Sequence, residues 1–185
     1  MKKLMFMLAA VAVAACTQAA SVSWTCTNVK DGSGNAISGA AYFINAATLS
    51  QDAFKALSGA DAFNTALSGM YSYTPDTAGK YTVANTSPVS NAALGLSDAS
   101  NYSVYLAIFD TATITDSSKY YLTSAIALET LSGDYTAQLK WGSQSTASQA
   151  AGAWSDVKGS AVPEPTSGLL MLVGLAGLAL RRKRA

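Results

Sequence analysis

The chain has 185 residues and a formal net charge of +1 at pH 7, but half of its basic residues stand near the two ends. Residues 21–162 hold six lysines, nine aspartates and one glutamate, which gives this body a net charge of −4 without any arginine or histidine. Proteins bind the phosphate backbone of nucleic acids through patches of basic side chains, and this body has no such patch in its composition. We therefore expect no nucleic-acid partner. The absence of histidine removes the usual general base and the usual partner of a catalytic serine or cysteine, which argues against hydrolase triads.

Residues 1–19 have the features of a cleavable signal peptide. Lys2 and Lys3 form a short positive start, an apolar run extends from Leu4 to Ala15, and Thr17-Gln18-Ala19 supplies small residues at the positions that a signal peptidase reads. As a helix the apolar run would span only about 18 Å, well short of the ~30 Å hydrocarbon core of a bilayer. We therefore expect export, with cleavage after Ala19 or Ala20.

The two cysteines leave one alternative open. Val13-Ala14-Ala15-Cys16 resembles a lipobox, in which Cys16 would be acylated and would become the first residue of the mature chain. Ordinary cleavage instead removes Cys16 and leaves Cys26 without a partner for an internal disulfide. Cys26 lies in an alternating apolar pattern, so we expect a packed thiol, with a bridge to another chain as the alternative.

The body begins with a predicted β-hairpin. Apolar and polar residues alternate from Val22 to Val29, turn-forming residues occupy positions 31–35, and a returning strand is predicted from Ile37 to Ala46. The turn has oxygen-bearing side chains spaced as in a calcium loop, but Ala36 and Tyr42 stand where that loop needs its glycine and its closing glutamate. We therefore predict no metal site, and no motif for a cofactor is present.

Two short helices are predicted between residues 50 and 70, where the apolar period changes to that of a helix. Ser50 and Asp61 are the candidate N-caps. The predicted apolar faces carry Phe54 and Leu57 in the first helix, and Phe63, Leu67 and Met70 in the second. We expect these two amphipathic turns to cap an open end of a sheet.

Strand patterns return after Lys80 and define the fold class. Residues 102–109 are apolar on both faces, which predicts a strand in the middle of a packed sheet, and residues 120–128 have the same pattern. Apolar and polar residues alternate from 135 to 141, which is typical of a strand with one face exposed to solvent. We expect a mainly β domain at residues 20–142, an antiparallel β-sandwich of jelly-roll-like or immunoglobulin-like type, followed by a polar linker at residues 143–161.

The last segment, residues 162–185, has three parts with distinct physical properties. Pro163, Glu164 and Pro165 keep the chain extended and accessible, because proline fixes φ and lacks an amide proton. The apolar run at 167–180 would form a helix only about 21 Å long, marginal for a bilayer. The basic cluster that follows opposes translocation and would act as a membrane stop; it consists of Arg181, Arg182, Lys183 and Arg184.

This order of tripeptide, short hydrophobic helix and terminal basic cluster resembles the PEP-CTERM sorting signal of Gram-negative bacteria. The resemblance covers about 24 residues, and an ordinary tail anchor behind a proline-containing linker is the alternative. It implies processing near the tripeptide by an exosortase, a precursor held transiently in the inner membrane, and release to the envelope, the cell surface or the extracellular space. It also implies a structural protein of the matrix of bacteria that make exopolysaccharide.

The body itself offers only weak candidates for chemistry. Trp24, Trp141 and Trp154 could stack on sugar rings, which makes a glycan-binding module the first alternative to a structural role, although core packing accounts for most aromatic residues in such folds. Paired carboxylates would support a hydrolase as the second alternative. The candidates for such a pair are Asp98, Asp110, Asp116, Glu129 and Asp134. Because aspartate is common in turns for structural reasons, we expect no enzymatic activity.

Overall fold

The computed structural model describes residues 20–131, 133 and 135–159. These residues form a mainly β domain with two sheets and short helices. The strands are β1 (Ser21–Thr27), β2 (Ala41–Asn45), β3 (Ser72–Tyr73), β4 (Val89–Ser90), β5 (Ser100–Phe109), β6 (Lys119–Leu122), β7 (Ile126–Thr130), β8 (Thr136–Ser143) and β9 (Trp154–Asp156). The helices are α1 (Gln51–Lys55), α2 (Ala60–Ala66) and α3 (Ser145–Gln149), with a 3₁₀ turn at Ala92–Leu94.

The longest strand, β5, lies at the centre of a six-stranded antiparallel sheet. Five of its strands follow the order β3-β2-β5-β6-β9, and the sixth, β7, also pairs with β5. One side of β5 pairs with β2, and the other side pairs first with β7 and then with β6. Residues 104–109 are buried, as expected for a strand covered on both faces, which confirms the predicted central strand. The single strand predicted at 120–128 is wrong: it is broken at Thr123, whose hydroxyl accepts the Leu106 amide proton at 2.9 Å.

The second sheet has three strands in the order β4-β1-β8. Strand β8 alternates as predicted, with Ala137, Leu139 and Trp141 buried. It runs parallel to β1, from the Ser21–Thr136 pair to the Thr27–Ser143 pair, so the prediction of purely antiparallel pairing is wrong. This pairing joins residues more than a hundred positions apart, and local turn residues carry no information about such a contact.

The predicted hairpin between the first two strands is also wrong, because β1 and β2 belong to different sheets. The turn itself forms: the Asp31 carboxylate accepts the amide protons of Ser33 and Asn35, and Lys30 bridges to Ala36. Beyond that short bridge the chain passes Gly39 and enters the six-stranded sheet beside β5. Turn chemistry therefore predicts the reversal correctly but not the partner of the returning strand.

Two apolar clusters arrange the domain in three layers. The first cluster joins the inner residues of β1 and β8 to one face of the six-stranded sheet, including Phe43, Leu106 and Ile108. The second cluster covers the opposite face of that sheet with residues from α1 and α2. The helices therefore cover a sheet face, and the prediction that they close an open end is wrong.

The helical insert forms where the sequence predicts it. The predicted faces are correct, since Phe54, Phe63 and Leu67 are buried, and the two phenylalanine rings make an edge contact at 5.2 Å between centroids. The Ser50 hydroxyl caps α1 by accepting the Ala53 amide proton at 3.1 Å. Asp61 lies inside α2 and is not its cap; the N-cap position is Gly59.

The predicted polar linker differs from the structure over its described part. Residues 143–159 contain α3 and β9, β9 pairs with β6, and Val157 is fully buried. The predicted signal peptide, sorting tripeptide, hydrophobic C-terminal helix and basic cluster lie outside the described residues. Within the part of the chain that the structure describes, no helix combines the length and apolar character needed to cross a membrane.

Candidate functional site

The three candidate glycan-contacting tryptophans lie in different surroundings. Trp24 is 2% exposed and Trp141 is 7% exposed, and both belong to the cluster between the sheets. Their faces contact protein and cannot receive a sugar ring. Trp154 is only half-buried, so it alone of the three remains accessible.

In the described domain, four further tyrosines on the strands do not form an exposed row: Tyr102, Tyr105, Tyr120 and Tyr121. The rings of Tyr105, Tyr120 and Tyr121 are buried, and the Tyr102 hydroxyl is bonded to the neighbouring Ser97 backbone. Among the described residues, the large apolar side chains that are clearly exposed are Leu131 and Tyr135, at opposite ends of the connection between β7 and β8. Most aromatic side chains of the body therefore build its interior.

Most of the candidate catalytic carboxylates make structural hydrogen bonds. Asp98 accepts a bond from the Asn91 side-chain amide at 2.7 Å, Asp110 from the Lys119 backbone amide at 2.9 Å, and Asp116 from the Ala60 backbone amide at 2.8 Å. Glu129 is exposed on β7, and Asp134 lies outside the described residues. The bonded carboxylates hold turns and a helix end in place, as aspartates in turns commonly do.

Cys26 is fully buried in β1 among apolar residues. Burial disfavours the charged thiolate and raises the pKa of Cys26 to about 12. The thiol is therefore neutral and shielded in the folded domain, which matches the predicted packed thiol and leaves it out of reach of a second chain.

One cavity brings together polar, charged and aromatic side chains from distant parts of the sequence. It has a volume of about 330 Å³ and is lined by Asp31, Gly32, Ser33, Asp110, Lys119 and Trp154. The sequence points separately to the turn at residues 31–35, to Asp110 and to Trp154, but it does not place them together. No local pattern could have done so, because the cavity depends on β9 returning to the edge of the six-stranded sheet.

The last described residues are hydrogen-bonded to the connection between α1 and α2. The Val157 carbonyl accepts the Gly59 amide proton at 2.8 Å, and the Lys158 carbonyl accepts the Ser58 hydroxyl proton at 2.7 Å. Four residues take the chain from Gly159 to Pro163. The described domain therefore ends only a few positions before the tripeptide in the sequence.

Comparisons with known proteins assign the segment that follows. Residues 161–184 match the family model described as the PEP-CTERM protein-sorting motif, which confirms the resemblance seen in the sequence. No curated protein and no solved structure matches the chain. The match covers Pro163, Glu164 and Pro165, the apolar run and the terminal basic cluster. The chain thus carries a PEP-CTERM protein-sorting motif at its C-terminus, which identifies it as an exported protein sorted by an exosortase.

Proposed function

We propose that this protein is a structural component of the cell envelope or extracellular matrix, associated with exopolysaccharide. The observation that carries the proposal is the sorting motif placed directly behind a folded β domain. An exosortase would process the precursor near Pro163, while the apolar run and the basic cluster hold it for a time in the inner membrane. The body would then remain outside that membrane, at the surface or beyond it.

The packing and the hydrogen bonds of the domain support a structural role without catalysis. Most of its aromatic side chains pack in the two apolar clusters, and three of its candidate carboxylates accept structural hydrogen bonds. A catalytic carboxylate pair needs groups that are free to exchange protons with a substrate. We therefore place the hydrolase alternative behind the structural role, and we treat glycan binding separately because Trp154 favours it.

The test is to alter the sorting tripeptide and follow the location of the protein. In cells with a working exosortase, we expect the wild-type chain to leave the inner-membrane fraction in a shortened form. Replacing Pro163, Glu164 and Pro165 together by alanine should hold the full-length precursor in that fraction. The control is Thr166→Ala with Ser167→Ala, which changes neighbouring residues and leaves the tripeptide intact.

The outcome is read by immunoblot of the cell fractions and of the medium. Normal shortening and release of the alanine variant would contradict exosortase sorting through this tripeptide. Release of a chain that does not fractionate with envelope or matrix material would leave sorting in place and contradict the structural role.

A further inference from the structure

The cavity that contains Trp154 is built from three separate parts of the chain. The turn at residues 31–33 forms one wall, the start of the connection after β5 contributes Asp110, and β6 contributes Lys119. Trp154 closes it from β9, the outermost strand of its sheet. We call this site the Trp154 cavity.

Trp154 presents a fixed aromatic surface in this cavity. Its indole N–H donates a hydrogen bond to the Lys30 carbonyl at 2.9 Å, and its ring packs against Tyr121 with centroids 5.9 Å apart. The ring is held by the hydrogen bond at its polar edge and by its packing against Tyr121, so a ligand would not have to order it on binding. Fixed aromatic surfaces lower the entropic cost of binding, because no side-chain rotamers are lost.

The polar groups of the cavity are also fixed, by bonds to the backbone. The Asp31 carboxylate accepts hydrogen bonds from the Asn35 backbone amide at 2.8 Å, the Asn35 side-chain amide at 3.1 Å and the Ser33 backbone amide at 2.9 Å. These bonds lower the pKa of Asp31 and keep it ionised. Asp110 accepts the Lys119 amide proton through one oxygen. The Lys119 ammonium group lies 3.8 Å from Asp156. The cavity therefore offers hydrogen-bond acceptors and a donor around one aromatic ring.

This combination indicates the chemical class of the ligand. Two carboxylates disfavour an anion. The Lys119 ammonium group and the Ser33 hydroxyl offer hydrogen-bond donors, which a metal or ammonium cation cannot use but a neutral polar ligand can. A sugar hydroxyl both donates and accepts hydrogen bonds, and the apolar face of a sugar ring suits an aromatic ring that is partly exposed to water. A volume of about 330 Å³ lies at the lower end of the range of small-molecule sites, which fits a single sugar unit.

We propose that the Trp154 cavity binds one unit of a neutral polysaccharide. The proposal deepens the proposed function, since it supplies a contact through which the body would hold exopolysaccharide. Its physical basis is independent of the sorting motif, because every residue that carries it belongs to the folded domain.

The test titrates the purified full-length chain in detergent with neutral oligosaccharides of glucose, galactose or mannose, two to six units long. Binding is followed by tryptophan fluorescence and by saturation-transfer NMR on the sugars. We expect saturable binding to at least one series. Trp154→Ala should weaken it at least tenfold, and Asp110→Asn at least threefold, since the amide keeps the bond to Lys119 but loses the charge.

Tyr135→Ala is the matched control, because it removes an aromatic ring that is 48% exposed outside the cavity and should leave binding unchanged. Asp110→Asn, which removes no packing, keeps the test decisive if Trp154→Ala fails to fold. Absence of saturable binding to all three series would overturn the proposal. So would equal affinity in the Asp110→Asn variant, or displacement of the sugar by tetramethylammonium, which would indicate a cation site. Sorting is scored separately in cells, so lost binding with normal sorting would contradict only the cavity.

Discussion

The Asp116 carboxylate accepts the Ala60 amide proton at 2.8 Å across a separation of 56 residues. It therefore does at the start of α2 what a capping side chain normally does from the position before the helix. The sequence points instead to Asp61, which lies in the first turn, because a cap supplied from elsewhere in the chain leaves no trace in local spacing.

We expect Asp116→Ala to lower the free energy of unfolding by about 1 kcal/mol, the usual cost of a lost cap. Asp61→Ala removes a carboxylate that is exposed and bonded to no amide of the helix start, so it should cost no more than about 0.5 kcal/mol. Urea unfolding of the two variants beside wild type measures both values. A larger loss in Asp61→Ala than in Asp116→Ala would contradict the assignment.

Cys26 gives a prediction about pH. Its pKa rises to about 12 in the folded domain, above the value of about 8.5 for an unfolded chain, so the folded state favours the protonated thiol. The resulting stabilisation is complete below pH ~8.5 and is lost as the pH rises toward 12. We therefore expect the free energy of unfolding to fall through this alkaline range.

The Cys26→Ala variant should show a smaller fall over the same range. Some fall should remain, because burial also raises the pKa of Tyr81 and Tyr105. Urea unfolding at pH 7, 9, 10 and 11 measures the difference. An identical pH dependence in wild type and variant would show that the thiol does not titrate as its burial requires.

At the scale of elements, Gly39 permits the crossing from the Asp31 turn into the six-stranded sheet. A Cβ atom at this position would overlap the Phe109 carbonyl oxygen and would lie 2.6 Å from the Thr111 amide nitrogen. On either side of this contact, the Ala40 amide bonds to the Thr111 carbonyl and the Phe109 amide bonds to the Ala40 carbonyl. The approach of the two backbones therefore requires glycine.

Gly39→Ala should destabilise the domain by more than about 2 kcal/mol, because rigid backbone atoms would have to move apart. Gly32→Ala is the control, since no atom lies within 4 Å of its added Cβ, and it should change stability by less than about 0.5 kcal/mol. Thermal unfolding of both variants provides the comparison. Equal melting temperatures would mean that the chain does not approach β5 as closely as described.

The elements differ in how far the sequence predicts them. Strands β5 and β8 follow directly from their apolar patterns, and so do the buried phenylalanines of α1 and α2. Strand pairing does not follow, because the β1–β8 contact depends on the whole fold. The predicted linker at 143–161 shows the same limit: its small polar residues give no strand signal, yet β9 pairs at the sheet edge.

At the scale of the whole molecule, the described domain extends closer along the chain to the sorting motif than the predicted linker would allow. A polar linker would have separated the tripeptide from the domain by about twenty residues. Pro163 is instead the fourth residue after Gly159, and the two residues before Gly159 are hydrogen-bonded to the connection between α1 and α2. The folded domain therefore comes within a few positions of the tripeptide, and the sequence alone could predict the motif but not this short spacing.

The start of the described domain helps to choose between the two cleavage sites predicted for the signal peptide. Ala20 is 1% exposed, and its carbonyl accepts the Asn91 amide proton at 2.8 Å. Cleavage after Ala20 would remove this partner, whereas cleavage after Ala19 would keep it. Of the two predicted sites, the structure thus favours the one after Ala19.

The most direct test of the account is the intact mass of the mature protein, purified from cells that contain an active exosortase and from cells that lack it. With the enzyme present, we expect a chain that begins at Ala20 and ends near Pro163, without the apolar run and the basic cluster. Without the enzyme, the chain should extend to Ala185. Recovery of the full C-terminal segment in both strains would contradict the central claim that residues 161–184 are a sorting signal removed by an exosortase.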